Sequence, residues 1–337
     1  MNQIKVIRHM KDSIPVFGIL TDSNNIINLH PSFTSLPKLL NSGILTKIKK
    51  GDKSLLGTEE KFLKENLISP ITFPKNIIGI GYNYPEHCRE VGKSKKIKRK
   101  QMIAFRKNKT SLSNPNQDIK KPLDIGLLDY EIELGLVIGK QITPDSKITS
   151  ENINEFIAGY VLTNDISARD IQIRQGTLFD KSKGFRNSKS YPGFCPAGPV
   201  FLYSNNPKPD FKLIQILIRK NRYVLLQNQT TKSMTNSPLE ILVELQKRLS
   251  SENPKNYRCF VNLIGKRNYS LEPGDLILTG TPKGVALDFS LIKLFLRGGK
   301  EKFINYEQKN NPLYLNPGDV LISYSKGLGS QKHKIIN

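Results

Sequence analysis

Acidic side chains are scarce in this chain: 29 Asp and Glu face 52 Lys and Arg, a formal net charge of +23. An excess of that size fits nucleic-acid binding, the steering of small anions, or a lysine-rich proteome. The densest basic run, KSKKIKRK at 93–100, has no interleaved aromatics and matches no helix-turn-helix, finger or RNA-binding signature. That argues against nucleic acid as a partner and for a surface that attracts an acidic metabolite. Cysteine is sparse as well, and Cys88, Cys195 and Cys259 are odd in number and widely spaced. They exclude a disulfide framework and a zinc ligand set, and are read as reduced thiols. No apolar run reaches the roughly 18 residues of a membrane-spanning helix. Lys5, Arg8 and Lys11 interrupt the place where a signal peptide needs an apolar core, so a cytoplasmic location is expected. A dinucleotide fingerprint is missing too, because GIGYNY lacks the third glycine and the helix that must follow it.

What is present is the composition of a soluble globular protein, 37% apolar and 24% charged, over 337 residues, enough for two domains or one large domain with an appendage. Residues 1–72 read as a small β-rich N-terminal module. IKVIRHM, IPVFGILT and NIINLH alternate like strands, SLPKLLNSGI and TEEKFLKENL read as helical, and Pro70 and Pro74 mark the exit. Residues 73–337 form a larger region with strand-like runs at 77–82, 131–138, 157–164, 211–218, 276–279 and 320–324 and an amphipathic helix at 239–249. Strands and helices do not alternate regularly, which gives an α+β class, mainly β, rather than a doubly wound sheet.

Within that region DYEIELGLVI, at 129–138, carries two glutamates at the mouth of an apolar run. Side chains alternate faces along a strand, so Glu131 and Glu133 point the same way and Tyr130 and Ile132 the other. Two carboxylates held that close repel, and burying them unpaired costs several kcal/mol, roughly, so a cation between them is the natural partner. The competing reading is a strand face open to water.

Polar residues next to apolar runs also concentrate in GYNYPEHCRE (81–90), TNDISARDIQ (163–172) and KSYPGFCPAGP (189–199). Taken with EIE and with GDLILTGTPKGV, these segments resemble, in order, the motifs of the fumarylacetoacetate hydrolase superfamily, from about residue 76 to the end. The resemblance implies that superfamily's mixed β-sheet roll, with Glu131, Glu133 and Asp165 as metal ligands. Three carboxylates without His or Cys form a hard oxygen site, suited to Mg²⁺ or Mn²⁺. It further implies that His87 and Glu90, three residues apart on one helical face, activate water or relay a proton on a mobile lid, and that Lys189 stabilises charge on a substrate oxygen. Arg169 and Gln172 become candidate substrate contacts, with a surface salt bridge as the plain alternative for Arg169. Gly280 and Thr281 form a tight turn whose amides hold a carboxylate. His9, His30 and His333 are read as structural.

These parts suit a small anionic 2-oxo acid that reacts through an enolate. The expected reaction is hydrolysis of a carbon–carbon bond in an acylpyruvate-like 2,4-dioxo acid. Decarboxylation or tautomerisation of the oxaloacetate type, and isomerisation of 2-hydroxyhepta-2,4-diene-1,7-dioate, are the alternatives. A non-catalytic binding protein on the same fold is the alternative of a different class. The resemblance implies a homodimer. Three segments, near 93–100, 251–269 and 286–314, are longer than the family pattern and are expected to reshape the entrance, form a subunit contact or decorate the surface.

Overall fold

The computed structural model describes residues 3–21, 25–52, 54, 56–61, 66–92, 102–176, 182–249 and 269–337. Cys259, the basic run at 93–100 and all of the 251–269 segment except Tyr269 lie outside them. A 12-stranded sheet dominates the described residues. Its centre is three adjacent strands, Cys195–Tyr203, Ile157–Asn164 and Ile132–Ile138, joined on one side by Ile4–Lys11 and on the other by Leu276–Leu278, Ile77–Gly81 and Ile103–Lys107. Most neighbours are antiparallel, but Leu276–Leu278 runs parallel to Ile77–Gly81, so the sheet is mixed. A second, five-stranded sheet is built on Arg222–Thr230, Lys212–Arg219, Val320–Ser325 and Gly329–Ile336. The architecture is α+β and mainly β.

The two central strands, 132–138 and 157–164, are buried at every position, as their unbroken apolar composition demands. Ile132, Leu134, Leu136 and Ile138 pack into one apolar cluster with Leu162, Leu242 and Leu245, the last two from the Pro238–Leu249 helix. Val137 belongs to a different cluster on the opposite face. That opposite face, followed towards the N-terminal end of the strand, carries Glu133 and Glu131.

Ile4–Lys11 pairs antiparallel with Cys195–Tyr203, which ties the N-terminal strands into the large sheet. The helix expected from SLPKLLNSGI forms at Leu36–Asn41, where Ser35 Oγ caps by accepting from Lys38 N at 3.4 Å. TEEKFLKENL, expected to be helical, lies outside the described residues at 62–65, and its first part forms instead the edge strand Glu59–Lys61, paired with Asn25–Asn28. Pairing overrides propensity there, supported by Lys11 Nζ donating to Glu60 at 2.6 Å and Thr21 Oγ1 donating to Glu59 at 2.8 Å. Cys88 and Cys195 are buried thiols outside any disulfide, and Cys88 Sγ donates to the Tyr82 carbonyl at 3.4 Å.

A polar network joins the two sheets beneath this core. Asn164 Nδ2 donates to Ser323 Oγ at 2.8 Å and to Gln331 Oε1 at 2.9 Å. Beside it His333, fully buried, donates Nδ1–H to the Gln117 carbonyl at 2.7 Å. Burial pushes this imidazole down from 6.5 to about 4. The folded protein therefore keeps His333 neutral in a range where the unfolded chain takes up its proton. Stability is complete above the unfolded value and is lost as pH falls from there toward the folded value, by about 2 to 3 kcal/mol for this group alone. His333→Gln, which retains a donor for Gln117, is expected to lose correspondingly less stability between pH 7.5 and 4.5 in urea unfolding. Equal acid sensitivity of the two proteins would remove His333 from the acid response.

Candidate metal centre and active-site cavity

Strand pairing assembles the acidic residues. Ile132–Ile138 lies against Ile157–Asn164 with Ile132 opposite Asn164, and Asp165, just beyond that strand, donates its amide to the Glu131 carbonyl at 2.8 Å. Glu131, Glu133 and Asp165 thereby place carboxylate oxygens within 4.8 Å of one another, and all three residues are buried. The open strand face is excluded by that burial.

Protein cations thread between these acids. Lys189 Nζ donates to Glu131 Oε2 at 2.5 Å, to Asp165 Oδ2 at 2.7 Å and to Ser167 Oγ at 2.7 Å, which uses all three of its hydrogens. Arg169 donates through Nε to Asp129 at 2.7 Å, through Nη2 to Glu131 Oε1 at 2.5 Å and through Nη1 to Gln172 Oε1 at 2.7 Å. Lys107 pairs with Asp165 Oδ1 and donates to the Phe194 carbonyl at 3.2 Å. Arg169 is 2% exposed, so the surface salt bridge weighed for it from sequence is replaced by a buried, three-partner guanidinium. Lys107 and Asp129 were not singled out from sequence. The signal for Lys107 was its spacing, since Ile103, Phe105 and Lys107 fall on one face of a strand whose Phe105 lines the cavity.

The two glutamates differ sharply in charge compensation. Burial would raise Glu131, but Lys189 and Arg169 outweigh it and hold the carboxyl down at about 2. Burial and the charges of Asp165 and Glu131 push Glu133 well above the usual carboxylate range. Its hydrogen bond comes from a backbone amide, Gly280 N, at 2.7 Å. Gly280 adopts φ +97 in this turn, and a Cβ there would lie 2.9 Å from Asn83 Cβ. The turn amide expected to hold a substrate carboxylate thus holds a protein carboxylate. Thr281 donates to the Ile132 carbonyl at 3.0 Å and accepts from Gln227 Nε2 at 2.9 Å, so it braces the strand while also lining the cavity.

The cavity has a volume of about 530 Å³, and Glu131, Glu133, Asp165, Arg169, Gln172, Lys189 and His87 all line it. Gly79 makes room for part of its wall, because a Cβ there would sit 2.2 Å from the Phe105 ring. The Lys189 ammonium stands 5.5 Å from the centroid of that ring. His87 and Glu90 share the short Pro85–Glu90 helix, with His87 Nδ1 and Glu90 Oε2 3.2 Å apart. The Gly284 amide donates to Glu90 at 3.0 and 3.2 Å, which fixes the carboxylate as the acceptor and leaves His87 Nε2 with the lone pair.

These residues fit a divalent metal. Four buried carboxyl groups (Asp129, Glu131, Glu133, Asp165) face three buried cations (Lys107, Lys189, Arg169), and with all four ionised the excess negative charge falls on Glu133, which no protein cation pairs among the described residues. An oxygen-only trio with unmet charge is the donor set of a hard cation.

Residues 76–336 match the fumarylacetoacetate (FAA) hydrolase C-terminal family. The chain is similar to the mitochondrial oxaloacetate tautomerase of Xenopus laevis, 31% identical over 85% of this chain and 81% of that protein. In structure it resembles the fumarylacetoacetate hydrolase of Exiguobacterium antarcticum (TM-score 0.70, 25% identity, 99% of each chain). It also resembles a probable 2-hydroxyhepta-2,4-diene-1,7-dioate isomerase of Mycobacterium abscessus (TM-score 0.69, 26% identity, 100% of this chain and 98% of that one). With the motifs, the sheet and the carboxylate trio in agreement, the chain belongs to the fumarylacetoacetate hydrolase family of enzymes.

Proposed function

We propose that the protein is a metal-dependent hydrolase of a carbon–carbon bond in an acylpyruvate-like 2,4-dioxo acid. The observation that carries this reading is the meeting, on one cavity, of the carboxylate trio with His87, whose Nδ1 is hydrogen-bonded to Glu90 behind it. Glu131, Glu133 and Asp165 would hold Mg²⁺ or Mn²⁺, and the bound ion supplies Lewis-acid polarisation of the 2-oxo acid head. His87 Nε2 takes a proton from water while Glu90 steadies the imidazolium through Nδ1. The hydroxide adds to the distal carbonyl, the bond from that carbon to the methylene breaks, and its electron pair passes into the enolate of the 2-oxo acid product. A proton returned to the methylene carbon completes the reaction, leaving one carboxylic acid and one 2-oxo acid. Lys189, with its hydrogens engaged by Glu131, Asp165 and Ser167, contributes as a buried positive charge beside the enolate and as the strut that sets the carboxylates. Arg169 and Gln172 act as a linked pair on the cavity wall.

A second reading, keto–enol tautomerisation of an oxaloacetate-like acid, is favoured by the similarity to the Xenopus laevis enzyme. It shares the enolate and needs proton transfer but no water addition. Mass analysis of products separates the two, since hydrolysis adds one water and yields two acids.

Two outcomes are expected from a panel of 2-oxo and 2,4-dioxo acids assayed with Mg²⁺ and Mn²⁺. Glu131→Ala and Glu133→Ala lose divalent-metal binding in calorimetry and lose turnover with it, and full activity of the wild type in EDTA would end the metal reading. His87→Gln retains metal binding while hydrolysis falls by a factor on the order of 10² to 10⁴. An unchanged rate in that variant would take water activation away from His87.

A further inference from the structure

The charged cluster accounts for only part of the cavity lining. Much of the remainder is apolar, and one segment outside all five motifs supplies a share of it: Leu287, Phe289, Leu294 and Lys300, from residues 286–314. This segment is fastened to the site. The Ala286 and Leu287 amides donate to Asp129 at 2.8 and 3.2 Å, on the same carboxylate that holds Arg169. Lys300 Nζ donates to the Arg174 and Gly176 carbonyls at 3.0 and 2.7 Å, and Arg174 pairs with Glu301 at 3.0 Å. Phe289 rests edge-on against Phe303 of the Lys300–Asn310 helix, ring centroids 5.6 Å apart. The wall is therefore built into the fold at both ends.

We propose that the 286–314 segment is a specificity wall that selects 2-oxo acids bearing one carboxylate and an apolar tail of several carbons. The inference rests on the 2-oxo acid reading above and adds the character of the tail. Size supports it: at about 30 Å³ per water-sized group, 530 Å³ admits roughly 17 such groups, of which a pyruvyl head uses about six. Charge supports it too. With Glu133 ionised as a ligand, one divalent ion would turn the cluster's single excess negative charge into a single positive one, which one substrate carboxylate would neutralise. Among the described residues that line the cavity beyond the charged cluster, the cation a second carboxylate would meet is Lys300, and two of that ammonium's three hydrogens are engaged by backbone carbonyls.

The test is titration calorimetry of the Mg²⁺-loaded protein with 2-oxobutanoate, 2-oxohexanoate, 2-oxooctanoate and the dicarboxylate 2-oxoadipate, alongside the hydrolysis assay. Affinity is expected to rise roughly fourfold per methylene, reaching roughly 250-fold across the four methylenes of the monocarboxylate series, with 2-oxoadipate weaker than 2-oxohexanoate. Leu294→Trp should abolish the gain for 2-oxooctanoate and leave 2-oxobutanoate within about twofold; should that variant not fold, the wild-type series decides alone. A rising series without hydrolysis of any 2,4-dioxo acid upholds the wall and sinks the hydrolase reading. A flat series with intact hydrolysis overturns the wall. Tighter binding of 2-oxoadipate overturns it in favour of a carboxylate anchor at Lys300, and failure of every 2-oxo acid to bind overturns both.

Discussion

A chain of alternating buried charges, Asp129 to Arg169 to Glu131 to Lys189 to Asp165 to Lys107, is the interaction on which the centre of this protein depends. Each of these ions costs several kcal/mol to desolvate, of order, and well-packed apolar residues in their place would often be no less stable. Stability alone therefore does not explain why a mainly β core carries them. Removing any member leaves a neighbour unpaired in a medium of low dielectric, so the chain behaves as one unit. Glu133 lies beside Glu131 and Asp165, held by an amide and pushed well above the usual carboxylate range by burial and those two neighbours, so its ionised form is left for a cation to meet.

The fold can be understood as the scaffold for that chain. Three strands buried on both faces meet where their polar ends coincide, and the antiparallel register between residues 132–138 and 157–164 brings Asp165 to Glu131 without a loop. The same architecture serves hydrolysis, tautomerisation and isomerisation, because each reaction needs a stabilised enolate and they differ in what else reaches it. In the function proposed above, what else reaches it is His87, held beside Glu90, which itself accepts from Gly284. On that proposal the charge chain sets the chemistry, and the short helix that carries His87 and Glu90 sets the choice among chemistries.

Much of this was legible in the sequence, and the exceptions have physical reasons. Period-two alternation put Glu131 and Glu133 together, and i,i+3 spacing put His87 beside Glu90, because both are local rules. The strands at 157–164 and 276–278 were visible as apolar runs bounded by polar residues. TEEKFLKENL misled, since its charged residues suit a helix in isolation whereas sheet pairing with Asn25–Asn28 decides its outcome. Lys107 was passed over because 103–107 was not read as a strand and its partner Asp165 lies 58 residues away. That Gly280 would spend its amide on Glu133, and Lys189 all its hydrogens on protein oxygens, depends on contacts across 147 and 58 residues of sequence, beyond any local pattern.

The segment at 286–314 shows most clearly what length alone conceals. As sequence it was a departure from the family pattern with three equal explanations. In the fold its first amides bind Asp129, the root of the charge chain, and its helix start binds the end of the helix that carries Arg169. A wall anchored to the same groups that order the charged residues cannot shift without disturbing them, so the shape of the cavity and the electrostatics of its charged end are coupled mechanically. Under the two proposals above, substrate selection and enolate stabilisation are consequences of one set of contacts, and a change in tail preference is expected to draw on the residues that hold Arg169 in place as well as on the side chains that touch the tail.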